Sequence, residues 1–518
     1  MNPTPLLLRR PILLLLACGL LFHLPWLAGP FGFGENNINA TFFFGPFAQH
    51  WEKFGWLTLR GAPLGATALT LPETVGAGFP YFNHPPGFAW LCCLLGTAEW
   101  QLRLPCVLAV IASGPLLFAL LRSRLGAGPA WLAGLLVMIA PGTAYAAVIS
   151  YESVVIAFGL LLLLAHEHTA AGDRRWRMPL VLAAALGVWI DWAFVFYVAA
   201  LLPWSLPAAP RELLRRLWLP AAAAAVSLAL VFAWRLWAEA NPELPPPGPT
   251  QETIGRTLHR AVFGGPPWGA FFAALGDRLV DAFSRTGLGV ALLGLPLALR
   301  ACPRLVVALL LPPLLNFGIF RSHSMGHLMF AAYAVPPLAV LVAAVPHTLR
   351  RWRPAATVAV AAGALVAAMV GWHTVEFERG ATSPLLARVA AALSRMAAEP
   401  LPQGHPDPGD DRPPLVATNS PQIPPYYVTS PRVLLAPVAD PRQLDAQRAG
   451  PARIVYVHFQ NELHEPGKPP LVAPDQPLRD FLAPFPHIDL PEFVGEWPMG
   501  HGRTIVIRGA GAWFVPRR

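Results

Sequence analysis

Long apolar runs recur down this chain, and short arginine-rich knots separate them as far as about residue 372. A helix needs about 20 mostly apolar residues to cross a bilayer, and these runs have that length. About eleven of them qualify. The first spans roughly residues 11–29, and others begin near Leu104, Pro129, Ser153, Met178, Phe194, Leu217, Thr286, Leu305, His327 and Pro354. No small-residue cleavage site follows the first run, so it reads as a retained span rather than a signal peptide. Such a pattern predicts a mainly α, polytopic membrane protein. Charge agrees: 13% of the residues are Asp, Glu, Lys or Arg, against about a quarter in a soluble domain.

The arginines give the orientation. Arg9 and Arg10 precede the first span, and Arg122 and Arg124 follow the second. Arg174, Arg175 and Arg177 lie between the fourth and fifth, and Arg211, Arg215 and Arg216 between the sixth and seventh. Arg300 and Arg304, then Arg350, Arg351 and Arg353, mark two later junctions. Every second junction is basic, as cytoplasmic loops are. The N-terminus is therefore expected in the cytoplasm and the C-terminal part outside it. The net charge of +9 follows from this topology and is not a nucleic-acid footprint. Heavy use of Pro, Ala, Arg and Gly suggests a GC-rich bacterial genome, hence a bacterial inner membrane. The five cysteines all lie in the apolar part without metal-ligand spacing, and no disulfide framework is implied.

The larger non-helical pieces fall on the outer side: 30–103, about 238–285, and the tail. The expected division is a transmembrane domain over 1–372, a helix and linker over 373–412, and a small extracytoplasmic α/β domain over 413–518. Within the linker region Ser383 can cap LLARVAAALSRMAAE with Pro384 at its first position. The strands of the tail are read from LVATN, YYVTSPRVLLA, RIVYVHF and TIVIRG with WFV.

Ionisable residues at membrane depth are costly and usually functional. Those at the outer helix ends are Glu35 in GFGENN, ahead of an amphipathic FAQHWEKFG stretch, and His84 in FNHPPG, exposed at a turn by two prolines. Glu99 and Arg103 open the second span, Glu152 the fourth, and Asp191 lies between the fifth and sixth. Arg321, His323 and His327 lie between the ninth and tenth. Each alone is a weak signal, and Glu152 reads equally well as a solvated turn residue; what carries weight is their convergence on one face. Carboxylates take protons from an acceptor, and Arg, His or Lys stabilises a leaving phosphate.

The order of these motifs resembles that of the polyprenyl-phosphate-dependent glycosyltransferases of the GT-C superfamily, in particular the bacterial protein-mannosyltransferase-like and aminoarabinose-transferase-like proteins. The match runs over roughly residues 10–205: Glu35 in the first outer loop, His84-Pro85-Pro86, then Glu99, Arg103, Leu104 and Pro105, then Glu152. It implies an inverting transfer from a polyprenyl-phosphate sugar to a glycan, lipid or protein acceptor outside the cytoplasm. Glu35 and Glu152 are then the catalytic carboxylates. His84, Arg103, Asp191, Arg321, His323 and His327 bind the donor phosphate or substrate, the last three on topology alone. No metal is required, although the carboxylates have the chemistry to bind a divalent ion. Where the family usually carries Asp, often followed by Glu, this chain has Glu35 and Asn36. That departure keeps a non-catalytic scaffold of the same fold open. A transporter or flippase is a further alternative, weakened by the lack of an internal repeat and by ionisable groups at one face rather than the midplane.

Overall fold

The computed structural model describes residues 5–27, 43–66, 78–206, 208–244, 266–321 and 328–349, single positions 75, 324 and 363, and five strands near the C-terminus. Contacts divide the chain into two compact units. One comprises 1–29, 81–240 and 247–376, and the other 30–80, 241–246 and 377–518.

The first unit is helical. Its helices are α1 (Pro5–His23), then, beyond α2 (Gly45–Phe54) of the second unit, α3 (Gly87–Cys93), α4 (Glu99–Leu125), α5 (Ala127–Ile139), α6 (Pro141–Ala146) and α7 (Tyr151–Ala170). There follow α8 (Arg177–Ile190), α9 (Phe194–Ser205), α10 (Pro210–Glu239), α11 (Trp268–Phe283), α12 (Arg285–Ala301), α13 (Pro303–Ile319) and α14 (Val335–Leu349), the last preceded by a 3-10 turn at Leu328–Ala334. Among the described residues α4, α7, α10 and the stretch Met329–Leu349 are long and apolar enough to cross a membrane unaided, and α11 with α12 forms a pair bent by 100°. Helices thus lie over or begin close to the expected spans as far as the tenth. The eleventh, near Pro354, lies outside the described residues.

The helix ends follow from local chemistry. In α4, Glu99 opens the helix and Arg122 and Arg124 close it, which complements the helix dipole. The Gln101 side chain accepts the Ala98 N–H at 2.9 Å. At the far end Arg124 forks onto both oxygens of Glu167, at 2.9 and 3.2 Å, joining the last turns of α4 and α7. The two helices therefore run the same way, with Glu99 and Glu152 at their common starting end. The exposed side chains of α10 include Leu214, Trp218, Val226, Leu230 and Leu236, an apolar face suited to lipid rather than water. Between α12 and α14 there is room for no side chain at Gly294: a Cβ there would run into the Leu341 carbonyl oxygen, the close helix approach that small residues permit. The bend between α11 and α12 sits at Ser284, a non-glycine residue at φ 66°. Its hydroxyl accepts the Gly287 N–H at 3.1 Å and so restarts the helix.

In the second unit, the expected amphipathic stretch forms α2, which buries Phe47, Ala48, His50 and Trp51 and leaves Glu52 exposed. Trp51 Nε1 donates to Ala62 O at 3.0 Å and His50 Nδ1 donates to Leu64 O. These bonds fasten the helix to strand β1 (Leu64–Ala66), which pairs antiparallel with β2 (Gly78–Pro80). The tail holds β3 (Leu415–Thr418), β4 (Leu434–Pro437), β5 (Ile454–His464), β6 (His487–Met499) and β7 (Arg503–Phe514) in the order β4-β3-β5-β7-β6. β4, β3 and β5 are parallel, while β7 is antiparallel to both β5 and β6. The runs TIVIRG and WFV, read separately, join in the single strand β7. β6 has no counterpart in the sequence reading. Its prolines Pro491 and Pro498 disguise it, and they are tolerated because β6 is an edge strand whose pairing slips between Leu490 and Phe493. The helix expected after Ser383 lies outside the described residues.

Candidate functional site

The His84-Pro85-Pro86 turn is held from three sides. Trp192 Nε1 donates to Asn83 O at 2.9 Å, and Arg235 Nη1 to Phe82 O at 3.3 Å. Gly87, the first residue of α3, lies so near α8 that a Cβ there would be 2.5 Å from the Trp189 carbonyl oxygen. Trp90 and Trp189 pack beside it with ring centroids 5.1 Å apart. The prolines stop any helix before α3, leaving His84 partly exposed, at 28% of its side chain.

His84 Nδ1 stands 3.0 Å from Asp191 Oδ1. Asp191 is buried in the extended break between α8 and α9, where its φ is −160°. Tyr333, from the 3-10 turn before α14, donates to the second oxygen of Asp191 at 3.5 Å. The imidazole stacks on Tyr151, with ring centroids 4.3 Å apart, and Tyr81 lies on the sequence-adjacent side at 6.0 Å. The Tyr81 hydroxyl is pushed up to about 12, chiefly by burial, against a hydrogen bond with Tyr151 and with a smaller push from the Asp191 and Glu152 carboxylates. It is a neutral donor at physiological pH.

Glu152 is buried, with 2% of its surface exposed, in the first turn of α7. Ser150, the N-cap, donates its hydroxyl to the Glu152 carboxylate, and Ser153 Oγ donates to Ser150 O at 2.8 Å. The Ser150 N–H points to Cys106 Sγ at 3.4 Å, which ties this turn to α4. A buried carboxylate needs such donors. Glu152 also lies within electrostatic reach of Asp191 and His84. One histidine and two carboxylates, walled by Tyr81, Tyr151 and Tyr333, therefore gather at the starting end of α4 and α7.

Below Glu152 on α7, an apolar cavity of about 410 Å³ opens between α3, α4 and α7, lined by Leu91, Leu95, Pro105, Leu108, Phe158 and Leu161 among others. Its walls have the chemistry to hold a hydrocarbon chain.

Of the residues expected at the site, His84, Asp191 and Glu152 are brought together. Arg103 is buried in the second turn of α4. Arg321 makes its contacts elsewhere: its guanidinium lies 4.2 Å from the Trp268 ring centre and donates to Pro266 O at 3.4 Å. Glu35, His323 and His327 lie outside the described residues. Among the described residues no three His, Cys, Asp or Glu side chains group as a metal site would need. Tyr81 and Tyr151 were missed by the sequence reading although they are close neighbours of His84 and Glu152. Tyr333 carries no signal in its sequence surroundings.

Comparison with known proteins gives three findings. Residues 83–237 match the family model of the dolichyl-phosphate-mannose-protein mannosyltransferases, a segment that contains His84, Glu152 and Asp191. The crystal structure of ArnT from Cupriavidus metallidurans bound to undecaprenyl phosphate superposes with a TM-score of 0.60 at 16% identity, covering 96% of this chain and 97% of that one. The same protein in the apo state gives a TM-score of 0.52 at 16% identity, with the same coverage. No curated protein matches the sequence significantly. The resemblance read from the motif order is thereby borne out, and the fold is that of ArnT.

Proposed function

We propose that this chain, with the fold of ArnT and the mannosyltransferase signature over 83–237, is an integral membrane glycosyltransferase that takes its sugar from a polyprenyl-phosphate donor. The observation that carries the reading is the cluster of His84, Asp191 and Glu152 inside the matched segment, beside an apolar cavity suited to a prenyl tail. The relative of the same fold was crystallised with undecaprenyl phosphate, which supports that class of lipid as donor carrier.

In this reading the donor phosphate meets His84 and the lipid tail runs toward the cavity under Glu152. The acceptor nucleophile attacks the anomeric carbon from the face opposite the phosphate. The sugar–phosphate bond breaks, the acceptor–sugar bond forms with inversion, and the polyprenyl phosphate leaves with the bonding electron pair. Glu35, by its match to the first-loop motif, takes the acceptor proton, and Glu152 orients the acceptor or sugar. Arg103, Arg321, His323 and His327 serve substrate binding. Eleven spans, a cytoplasmic N-terminus and an outer 413–518 domain in a bacterial inner membrane complete the proposal. The moved unit is a hexose or pentose.

Lipid-linked glycan profiling tests this in a deletion strain complemented with wild type, Glu35→Gln or Glu152→Gln. A polyprenyl-phosphate sugar should accumulate in the deletion and in both variants and disappear with wild type. Identical profiles in all strains, with the protein present in the membrane, would sink the transferase reading in favour of a scaffold.

A further inference from the structure

We infer that Asp191, backed by Tyr333, is a positioning residue that fixes His84 with Nδ1–H turned inward and Nε2–H presented to the donor phosphate, so that donor engagement depends on protonation of this histidine. The inference rests on the donor reading above and assigns Asp191 a role other than contact with substrate.

Three observations lead to it. Asp191 is buried and both its oxygens are engaged, Oδ1 by His84 at 3.0 Å and Oδ2 by Tyr333 at 3.5 Å. A carboxylate so occupied is a poor ligand for an anionic phosphate and a good anchor for an imidazole N–H, the arrangement that fixes tautomer and ring orientation wherever His works with a carboxylate. His84 is the more exposed partner, at 28% against 8% for Asp191. Nδ1 faces Asp191, and among the described residues the other nitrogen is turned toward no hydrogen-bond partner. Stacking on Tyr151 fixes the ring plane.

Among the described residues, charged and titratable groups around His84 come from five elements. They are Asp191 from the α8–α9 break, Glu152 and Tyr151 from α7, Tyr81 from the preceding loop, Tyr333 from the 3-10 turn and Arg235 on Phe82 O from α10. Arg235 is itself paired with Glu239 at 2.7 Å. The two carboxylates and the tyrosine rings enclose the imidazole on the side away from Nε2. A neutral imidazole with Nδ1–H on Asp191 offers only a lone pair at Nε2, which repels a phosphate oxygen. The imidazolium offers an N–H, a charge-assisted donor. The protonated ring is therefore the form that engages the donor phosphate.

The experiment measures undecaprenyl phosphate binding to the purified full-length protein in detergent between pH 5.5 and 8.5, for wild type, His84→Lys, Asp191→Asn and Tyr333→Phe. The phosphate monoester probe has its own second ionisation near pH ~6, and His84→Lys, with a permanent cation, reports that contribution alone. Relative to His84→Lys, wild-type affinity should fall about tenfold across the range, the worth of one charge-assisted hydrogen bond. Asp191→Asn should lower affinity about tenfold at pH 7.5 and recover it at pH 5.5. In the His84→Lys background the same change should cost less than about threefold, because a lysine needs no anchor to stay charged.

Parallel pH profiles for wild type and His84→Lys would overturn the inference while leaving the donor reading standing. So would an equal loss for Asp191→Asn at every pH. Absence of binding by wild type at any pH would refute the donor reading and this inference with it. If Asp191→Asn does not fold, the wild-type and His84→Lys profiles decide the charge dependence. Tyr333→Phe then decides the positioning: it should lose affinity at pH 7.5 and regain it at pH 5.5, and a pH-independent loss would count against it.

Discussion

Replacing Gly87 by alanine should disable the site with only a modest loss of stability. At the first position of an exposed helix, alanine is better than glycine by up to about 1 kcal/mol, so propensity alone predicts stabilisation. The structure predicts the opposite. The new Cβ would stand 2.5 Å from the Trp189 carbonyl oxygen, with the Trp189 carbonyl carbon at 2.8 Å. These are backbone atoms that cannot rotate away. An acceptable C···O approach is about 3.3 Å, so α3 and the turn before it must recede from α8 by about 0.8 Å. His84 is three residues before Gly87 and Asp191 two residues after Trp189. The same shift would stretch their 3.0 Å bond to about 3.8 Å, beyond hydrogen-bonding range. Overpacking of this kind costs about 1–3 kcal/mol, and misplacement of a site group by about 1 Å can cost about 10²-fold in rate. Complementation of the deletion strain should fall by that order, while fluorescence-detected size-exclusion chromatography shows a folded protein with a lowered melting temperature. Gly128→Ala, where an added Cβ meets nothing within 4 Å, is the control and should behave as wild type. Wild-type transfer by Gly87→Ala would refute the argument that this approach positions the histidine.

Other outcomes follow from the same geometry. Glu152→Gln should reduce transfer by about 10²-fold, as loss of orientation does, with the melting temperature little changed, since an amide can still accept from Ser150. Gly294→Ala should prevent accumulation of folded protein, because the added atom would collide with the Leu341 backbone; normal yield would show that α12 and α14 separate easily. The first-loop segment should loosen in acid. Burial lowers His50 to about 4 from 6.5, against the hydrogen bond to Leu64 O, with Lys53 adding to the lowering. The unfolded state then binds more protons between those values. The stabilisation is complete above pH 6.5 and is lost as pH falls toward 4, by up to about 3 kcal/mol. Hydrogen exchange in α2 should rise over that interval, and His50→Phe should remove the pH dependence.

Much of this was legible because the bilayer enforces a simple rule: apolar length makes a helix. The spans near Leu104, Ser153, Leu217 and Leu305 correspond to α4, α7, α10 and α13. His84, Glu152 and Asp191 could be nominated because ionisable groups at helix ends are rare enough to stand out. What the sequence hid depended on three-dimensional neighbours. Tyr333 reaches Asp191 across 142 residues, and a tyrosine in LMFAAYAV gives no hint of that partner. The stacking of Arg321 on Trp268 was equally hidden, because tertiary packing sets that pairing. Helix α11 was missed, since 238–285 read as non-helical, and the positive φ at 284 falls on a serine rather than on the glycine that such a φ would suggest.

That corner at Ser284 bears on which membranes suit the protein. α12, descending from it, has 17 residues, and so has α13, to which it connects through Cys302. At about 1.5 Å per residue each is about 26 Å long, less than the hydrocarbon thickness of about 30 Å in an average bilayer. α12 cannot lengthen through the corner, because the Ser284 hydroxyl fixes its first turn, and Cys302 separates it from α13. The lipid must accommodate instead, by thinning locally around this pair. Reconstitution into bilayers of graded acyl length should therefore favour the shorter chains, with helix α12 as the part that sets the match.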